Sequence, residues 1–221
     1  MNDVKMDKRP YRSPLRREQA EATRQRILEA GLRLFAERGY SASSISQIAL
    51  EAGVSSETIY ASVGSKRGII DALLAQVDTM RIPDKAREAA AARGGGARVA
   101  IEVLVEMAVG FWAKHHVLVG VLRKGIGDPE IGEAWVERQR ARRGLIHGIV
   151  SSWPPEAFHR GLDARRASDI AWALTSDEMF DLLVGMQGWT TDAYRDWLTT
   201  SLVRELLSEA AAGRESPEPA G

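Results

Sequence analysis

The sequence predicts an all-α protein in two parts, a small helical unit near the N-terminus and a larger helical one after it. Three observations carry this. Apolar residues recur at i, i+3, i+4 and i+7 along most of the chain, and the period-two alternation of a half-buried strand is missing. Ser or Asp caps and glycine stops are closely spaced before residue 80 and widely spaced after it. Between the two regimes, RIPDKAREAAAARGGGAR (81–98) combines a proline break with a glycine triplet, which reads as a linker. A chain of 221 residues, 44% of them hydrophobic, is long enough to bury a core in each part.

The first helix is expected over Gln19 to Arg38, with Ile27, Ala30, Leu34 and Phe35 on one stripe and Gly39 as its stop. Ser44 followed by Gln47 three residues on is a capping box, and it opens a short helix to Glu51. Gly53 ends that helix because glycine enters the left-handed backbone region without steric cost. Ser55 caps the third helix, with Glu57 in its first turn and an end near Val63-Gly64; Ser65 begins the fourth, carrying Ile69, Ile70, Leu73, Leu74 and Val77. Beyond the linker, a long apolar helix is expected from about Val99 to His116. Asp128-Pro129 marks the start of another, with Ile131, Trp135, Ile146 and Ile149, which ends before Pro154-Pro155. Asp163 caps a helix carrying Ile170, Leu174, Phe180, Leu183 and Met186 as far as Gly188. The last helix runs from about Thr191 and presents Tyr194, Trp197, Leu198, Leu202 and Leu206.

Charge and composition narrow the function classes. Formal net charge is zero, but Lys8, Arg9, Arg12, Arg16 and Arg17 form a basic stretch with no acid in it, so the N-terminal end is the electropositive one. That stretch is either a solvated leader or an arm that meets a polyanion. The absence of cysteine excludes disulfides, thiolate zinc sites and a cysteine nucleophile, and suits a cytoplasmic location. The basic, polar start has no apolar segment of the signal-peptide kind. The apolar run at 99–122 is interrupted by Glu102, Glu106, Lys114 and two histidines, so no membrane span is expected. His115 and His116 are adjacent and point to different helix faces, and Glu102 and Glu106 lack a histidine partner at matching spacing. With no phosphate loop, dinucleotide fingerprint or G-x-S-x-G present, no catalytic residue, metal site or cofactor is expected.

The stretch SISQIALEAGVSSETIYASVGSK (44–66) has the form of a helix-turn-helix, in which a second helix enters the DNA major groove. Ala49 is small where the helices cross, and Ile48, Val54 and Ile59 are expected to point inward. Ser56, Glu57, Thr58, Tyr60, Ala61 and Ser62 are then the outward set, short and polar enough for close approach to base edges. The second helix has no Lys or Arg, so arginine-to-guanine pairing is unavailable from its body. Glu57 could accept from cytosine N4 or simply favour its helix N-terminus, and Thr58 could touch a thymine methyl.

TRQRILEAGLRLFAERGY (23–40), ISQIALEAGVSSETIY (45–60) and SKRGIIDALL (65–74) together resemble the tetracycline-repressor-like (TetR) transcription regulators in order and spacing. Where that family commonly has an aromatic three residues after the tyrosine, this chain has Val63. The resemblance implies a DNA-binding domain of three helices, joined by helix four to a larger domain that binds an effector and dimerises. On this chain the expected boundaries are a basic flexible arm at 1–17, the DNA-binding domain with helix four at 18–80 (helix-turn-helix about 44–63), the effector and dimerisation domain at 81–212, and a disordered tail at 213–221. The resemblance implies phosphate contacts from Ser44, Ser55, Tyr60 and Lys66, and base readers at Ser56, Glu57, Thr58 and Ser62. Arg16 and Arg17 are expected to add backbone contacts from the arm.

The resemblance also implies an effector pocket and a dimer. Met107, Phe111, Trp112, Trp135, Trp172 and Met179, with His116 and Arg123 as polar anchors, are the expected lining for a mainly apolar or aromatic small molecule, in a cavity touching Trp112. Leu183, Met186, Trp197, Leu198, Ser201, Leu202 and Glu205 are expected at an isologous four-helix interface between two copies. The implied function is that of a ligand-responsive repressor, a homodimer on a palindromic double-stranded DNA operator. The alternatives are an all-α enzyme or a scaffold that has kept the fold and lost DNA binding.

Overall fold

A computed structural model of the chain describes residues 14–76, 88, 92–93 and 95–213. The expected readings on residues 1–13, on Val77 and most of the linker, and on the tail from residue 214 fall outside them. Among the described residues no strand forms; one isolated antiparallel bridge pairs Phe158 with Leu207. No described helix is long and apolar enough to cross a membrane. The chain divides after Gln76 into two compact units.

The first unit holds α1 (Pro14–Arg38), α2 (Ile45–Ala52), α3 (Ser56–Val63) and α4 (Lys66–Ala75). Helix α1 starts earlier than the apolar stripe predicts, at a proline whose fixed φ suits a first helical turn, so Arg16 and Arg17 belong to a helix and not to an arm. Its stripe buries Ile27, Leu28, Leu34 and Phe35 against Ile48 and Ala49 of α2, Ile59 of α3, and Ile69 and Ile70 of α4. Each fully buried Ile or Phe side chain contributes about 1.5–3 kcal/mol from burial alone. Gly31 sets the approach of α1 to α4, because a Cβ there would lie 2.8 Å from Ile69 Cγ2. Val54, expected inside, is only half-buried.

The second unit holds α5 (Ala97–Lys124), α6 (Pro129–Val150), a short 3-10 turn (Pro155–Ala157), α7 (Ala164–Leu174), α8 (Asp177–Phe180), a π-helical turn (Asp181–Met186) and α9 (Thr191–Leu206). Helix α5 continues two turns beyond His116, since Leu118, Val119, Val121 and Leu122 extend its buried stripe until Gly125. Helix α6 begins as expected, with the Asp128 carboxylate accepting from the Glu130 N–H at 3.1 Å. Helix α9 lays Tyr194, Leu198, Leu202 and Leu206, all fully buried at i+4 spacing, against α5.

The single helix expected from Asp163 to Gly188 is broken at Thr175. Its hydroxyl donates back to the Ala171 carbonyl at 2.7 Å, its carbonyl accepts the Trp112 indole N–H at 2.9 Å, and Ser176 caps α8. A buried tertiary partner captures the carbonyl that would have continued the helix.

Candidate functional site

Helices α2 and α3 and the three-residue step between them, Gly53 to Ser55, are fixed by local backbone chemistry. Ser44 accepts from the Gln47 N–H at 3.3 Å while the Gln47 amide oxygen accepts from the Ser44 N–H at 2.9 Å, closing the capping box. Gly53 has φ 66°, in the left-handed region, and the Val54 N–H reaches the Ala49 carbonyl at 3.0 Å. Ser55 then caps α3 by accepting from the Thr58 N–H at 3.2 Å. The Glu57 carboxyl is held below the usual carboxylate range by its own backbone N–H and the Ser55 hydroxyl, so it is a carboxylate at neutral pH.

Two arginines of α1, not among the expected site residues, close the far ends of these helices. Arg24 donates to the Ser62 carbonyl at 2.6 Å near the end of α3, and Arg26 donates to the Ala52 carbonyl at 3.3 Å at the end of α2. Each cation meets the negative end of a helix, where unpaired carbonyls collect. Their signal in the sequence is two arginines flanking the start of the α1 apolar stripe, which by itself does not say what they reach.

Of the expected readers, Glu57, Tyr60 and Ala61 are exposed, Tyr60 by 56%, and Ser56, Thr58 and Ser62 are half-buried along the same helix. Ser44 and Ser55 both present exposed hydroxyls that already serve as caps. Arg16 and Arg17 are exposed on the first turn of α1. Lys66 is different. Its ammonium donates to the Tyr40 and Ser43 carbonyls at 3.0 and 3.2 Å and lies 4.2 Å from the Tyr40 ring centroid, so it ties α4 to the loop after α1. Its donations to two backbone carbonyls keep it half-buried instead of extended into solvent.

In the second unit, Trp112 is buried, with the guanidinium groups of Arg138 and Arg142 at 5.7 and 5.8 Å from its ring centroid. Met107, Phe111, Trp172 and Met179 are half-buried and Trp135 is buried. His116 is exposed and is therefore no buried polar anchor, although its i+4 spacing puts it on the same side of the helix as Trp112. Arg123 is occupied by Asp181 at 2.7 Å and Asp177 at 3.7 Å. A cavity of about 580 Å³ opens over Gly132, Glu133, Val136, Glu137 and Arg140 of α6, and no expected pocket residue lines it.

The sequence model described as bacterial regulatory proteins, tetR family, matches residues 27–73, from the middle of α1 to the end of α4. Over this segment the chain is similar to the tetR family. A curated relative, an uncharacterized HTH-type transcriptional regulator of Bacillus subtilis called YvkB, is 39% identical over 59 residues, 27% of this chain. The match spans only 31% of that relative's length. The whole TetR fold is found among solved structures. NalD of Pseudomonas aeruginosa has a TM-score of 0.69 at 22% identity over 86% of this chain and 99% of that one. The Bacillus subtilis regulator FadR, solved with stearoyl-CoA, scores 0.61 at 21% identity over 80% of this chain and 96% of that one. A regulator from Saccharomonospora viridis, solved with choline, scores 0.62 at 24% identity over 85% and 99%.

Three residues expected at a surface between copies lie inside the single subunit. Leu198, Ser201 and Leu202 are buried, because α9 directs that face at α5. Leu183 and Trp197 are half-buried, Glu205 is exposed, and Met186 is 70% exposed; Leu182 and Trp189, which the sequence reading did not single out, are exposed beside them in sequence. The Trp189 and Trp197 rings meet edge to face at 6.0 Å. Exposed apolar residues on the π-helical turn were legible only once that turn replaced a continuous helix.

The acid at the start of α8 has the most perturbed carboxyl environment. Burial, then the neighbouring Glu178 charge and hydrogen bond, push the Asp177 carboxyl up to about 6, against the opposing pull of Arg123. A raised acid binds its proton more tightly folded than unfolded, so the folded state loses stability as pH rises from about 4 to about 6. Asp177→Asn removes that titration. In paired melting curves, the parent's Tm relative to Asp177→Asn should fall between pH 4 and pH 7, and a constant difference would count against the buried carboxyl.

Proposed function

We propose that this chain is a cytoplasmic, sequence-specific DNA-binding repressor, acting as a homodimer on a palindromic operator and released by a small effector bound in the second unit. The observation that supports it most is the doubly capped α2–α3 step, with α3 presenting Glu57, Tyr60 and Ala61 to solvent over an inward Ile59. NalD, called a secondary repressor of an efflux pump, and the ligand-bound FadR and Saccharomonospora viridis structures make repression and small-molecule binding reasonable for the same fold.

In this reading the chain is not an enzyme. Ser44, Ser55 and Tyr60 meet phosphates, and Ser56, Glu57, Thr58 and Ser62 face base edges, with the N-terminal basic residues adding backbone contacts. The small DNA-binding domain and the larger effector and dimerisation domain correspond to the two units. Leu182, Leu183, Met186, Trp189 and Trp197 are the apolar surface available for pairing two copies. An effector with a mainly apolar or aromatic body would bind near Trp112, among Phe111, Trp172 and Met179, and shift the population toward a spacing of reading helices that no longer fits two half-sites.

The test is binding to DNA from upstream of the protein's own gene, measured across a salt series. Specific binding to a palindrome, with affinity falling steeply as salt rises, is expected. Removing residues 1–13 should weaken binding and flatten the slope by about 0.9 for each phosphate no longer neutralised. Salt-independent or sequence-blind binding would favour the scaffold reading.

A further inference from the structure

The core of the second unit contains more hydrogen-bond donors than its own acceptors satisfy. Arg142 uses one guanidinium nitrogen, Nη2, on the Trp172 carbonyl and on the Thr175 hydroxyl at 2.8 Å. Its other terminal nitrogen, Nη1, is buried and has no hydrogen-bond partner among the described residues, and the same holds for the Trp172 indole N–H and the Tyr194 hydroxyl. The Arg142 guanidinium carbon is 5.4 Å from the Trp172 ring centroid, and the Arg142 charge is close enough to act on the Tyr194 phenol. Unsatisfied buried donors are costly, the more so when charged, so three of them in one core call for an acceptor.

The charge pattern says what kind of acceptor. Arg138 and Arg142 are both half-buried, with burial opposing their charge, yet among the described residues neither forms an ion pair. The nearby acids are committed elsewhere: Asp181 and Asp177 hold Arg123, and Glu178 is hydrogen-bonded to Asp177. Instead of carboxylates, the two free guanidinium groups face rings, Arg138 at 4.6 Å from the Phe111 centroid and Arg142 between Trp112 and Trp172. A cationic ligand such as a quaternary ammonium would need those same ring faces, which the protein's own cations already occupy. Buried charges in proteins are paired, and here the missing member is an anion.

We infer that Arg142, Trp172 and Tyr194 form the head-group end of the effector site, and that the effector carries a carboxylate on an aromatic body. A carboxylate has four lone-pair directions, enough for Arg142 Nη1, the Trp172 N–H and the Tyr194 hydroxyl together. Half-buried Phe111, Arg138 and Trp172 bring the cluster to the edge of solvent, and their rings suit a flat apolar body. Burial holds the Arg142 guanidinium down to about 10, still cationic at neutral pH. The inference rests on the reading of the second unit as an effector domain and names the chemistry of its ligand.

The experiment uses the full chain without DNA. Calorimetry and thermal shift are run with benzoate and 2-naphthoate as anionic probes, 2-naphthamide as the matched neutral probe and 2-naphthylmethylammonium as the cation. At least one carboxylate should bind at least about tenfold more tightly than the amide, and the ammonium more weakly still. Arg142→Lys should remove that preference while leaving amide binding in place, because an ammonium lacks the planar fork. Tyr194→Phe should weaken carboxylate binding severalfold with no loss of Tm in the absence of probe, which covers the case in which the arginine variant does not fold. Equal or tighter binding of the amide or the ammonium would overturn the inference, as would no binding of either carboxylate at millimolar concentration or unchanged carboxylate affinity in both variants. Operator binding is measured separately: intact DNA binding with no carboxylate binding sinks this inference alone, and carboxylate binding without operator binding sinks the repressor reading alone.

Discussion

Gly68→Ala should unfold or displace the DNA-binding unit, with a loss of at least about 3 kcal/mol in stability. A Cβ at this position, in the first turn of α4, would lie 1.9 Å from the Val63 carbonyl oxygen and 3.0 Å from its carbon. Both are backbone atoms, so no rotamer change relieves the overlap. The Gly68 N–H is meanwhile held at 3.0 Å by the Ser65 cap, which prevents α4 from shifting away without losing its first turn. The end of α3 must therefore move, and with it the exposed side chains proposed to meet DNA. Urea denaturation and operator binding on the same sample check this. Gly144→Ala, in α6 with nothing within 4 Å of an added Cβ, is the control and should be neutral or stabilising by up to about 1 kcal/mol. Unchanged stability and unchanged operator affinity in Gly68→Ala would show that the α3–α4 approach is looser than the structure has it.

Lys66→Met should cost about 1–2 kcal/mol in the N-terminal unit, near the lower end of the range for hydrogen bonds to a charged group because the site is only half-buried. The methionine keeps the apolar stem and removes the ammonium that joins the Tyr40 and Ser43 carbonyls. Ser43 itself is buried, its hydroxyl donating toward the Gly39 and Leu34 carbonyls at 2.8 and 3.2 Å, so the loop between α1 and α2 depends on a few polar contacts and little apolar area. The phosphate-contact expectation for Lys66 makes a different forecast, namely unchanged melting and a salt slope of operator binding reduced by about 0.9. Thermal melting combined with a salt series separates the two, and a flat melting result would return Lys66 to the DNA interface.

Both residues show where sequence reading stops. Gly68 is an ordinary helical glycine by pattern, and only the distance to the Val63 carbonyl oxygen makes it irreplaceable. Lys66 follows a serine cap like many solvent-facing lysines. In each case the deciding partner is a carbonyl on a different element, and a carbonyl has no sequence signature. Thr175 belongs with them: its neighbours continue a helical period in the sequence, yet Trp112 captures its carbonyl and Arg142 donates to its hydroxyl.

What the sequence by itself determined is local. The capping box at Ser44 and Gln47, the left-handed Gly53, the caps at Ser55, Ser65, Asp128 and Asp163, and the buried stripe of α1 all follow from interactions among residues a few positions apart, and so did the all-α class and the likeness of residues 27–73 to the tetR family. What only the tertiary structure decided is which side of an apolar helix meets its own chain. Leu198 and Leu202 had the hydrophobicity of an interface and proved to be core, while Met186 and Leu182 emerged on the surface on the π-helical turn Asp181–Met186. Arg138 and Arg142, polar residues on a helix face, were brought to Trp112 in the same way. Periodicity assigns a residue to a face, but the partner of that face is chosen by contacts between residues far apart in the chain, which is information that a helical repeat does not contain.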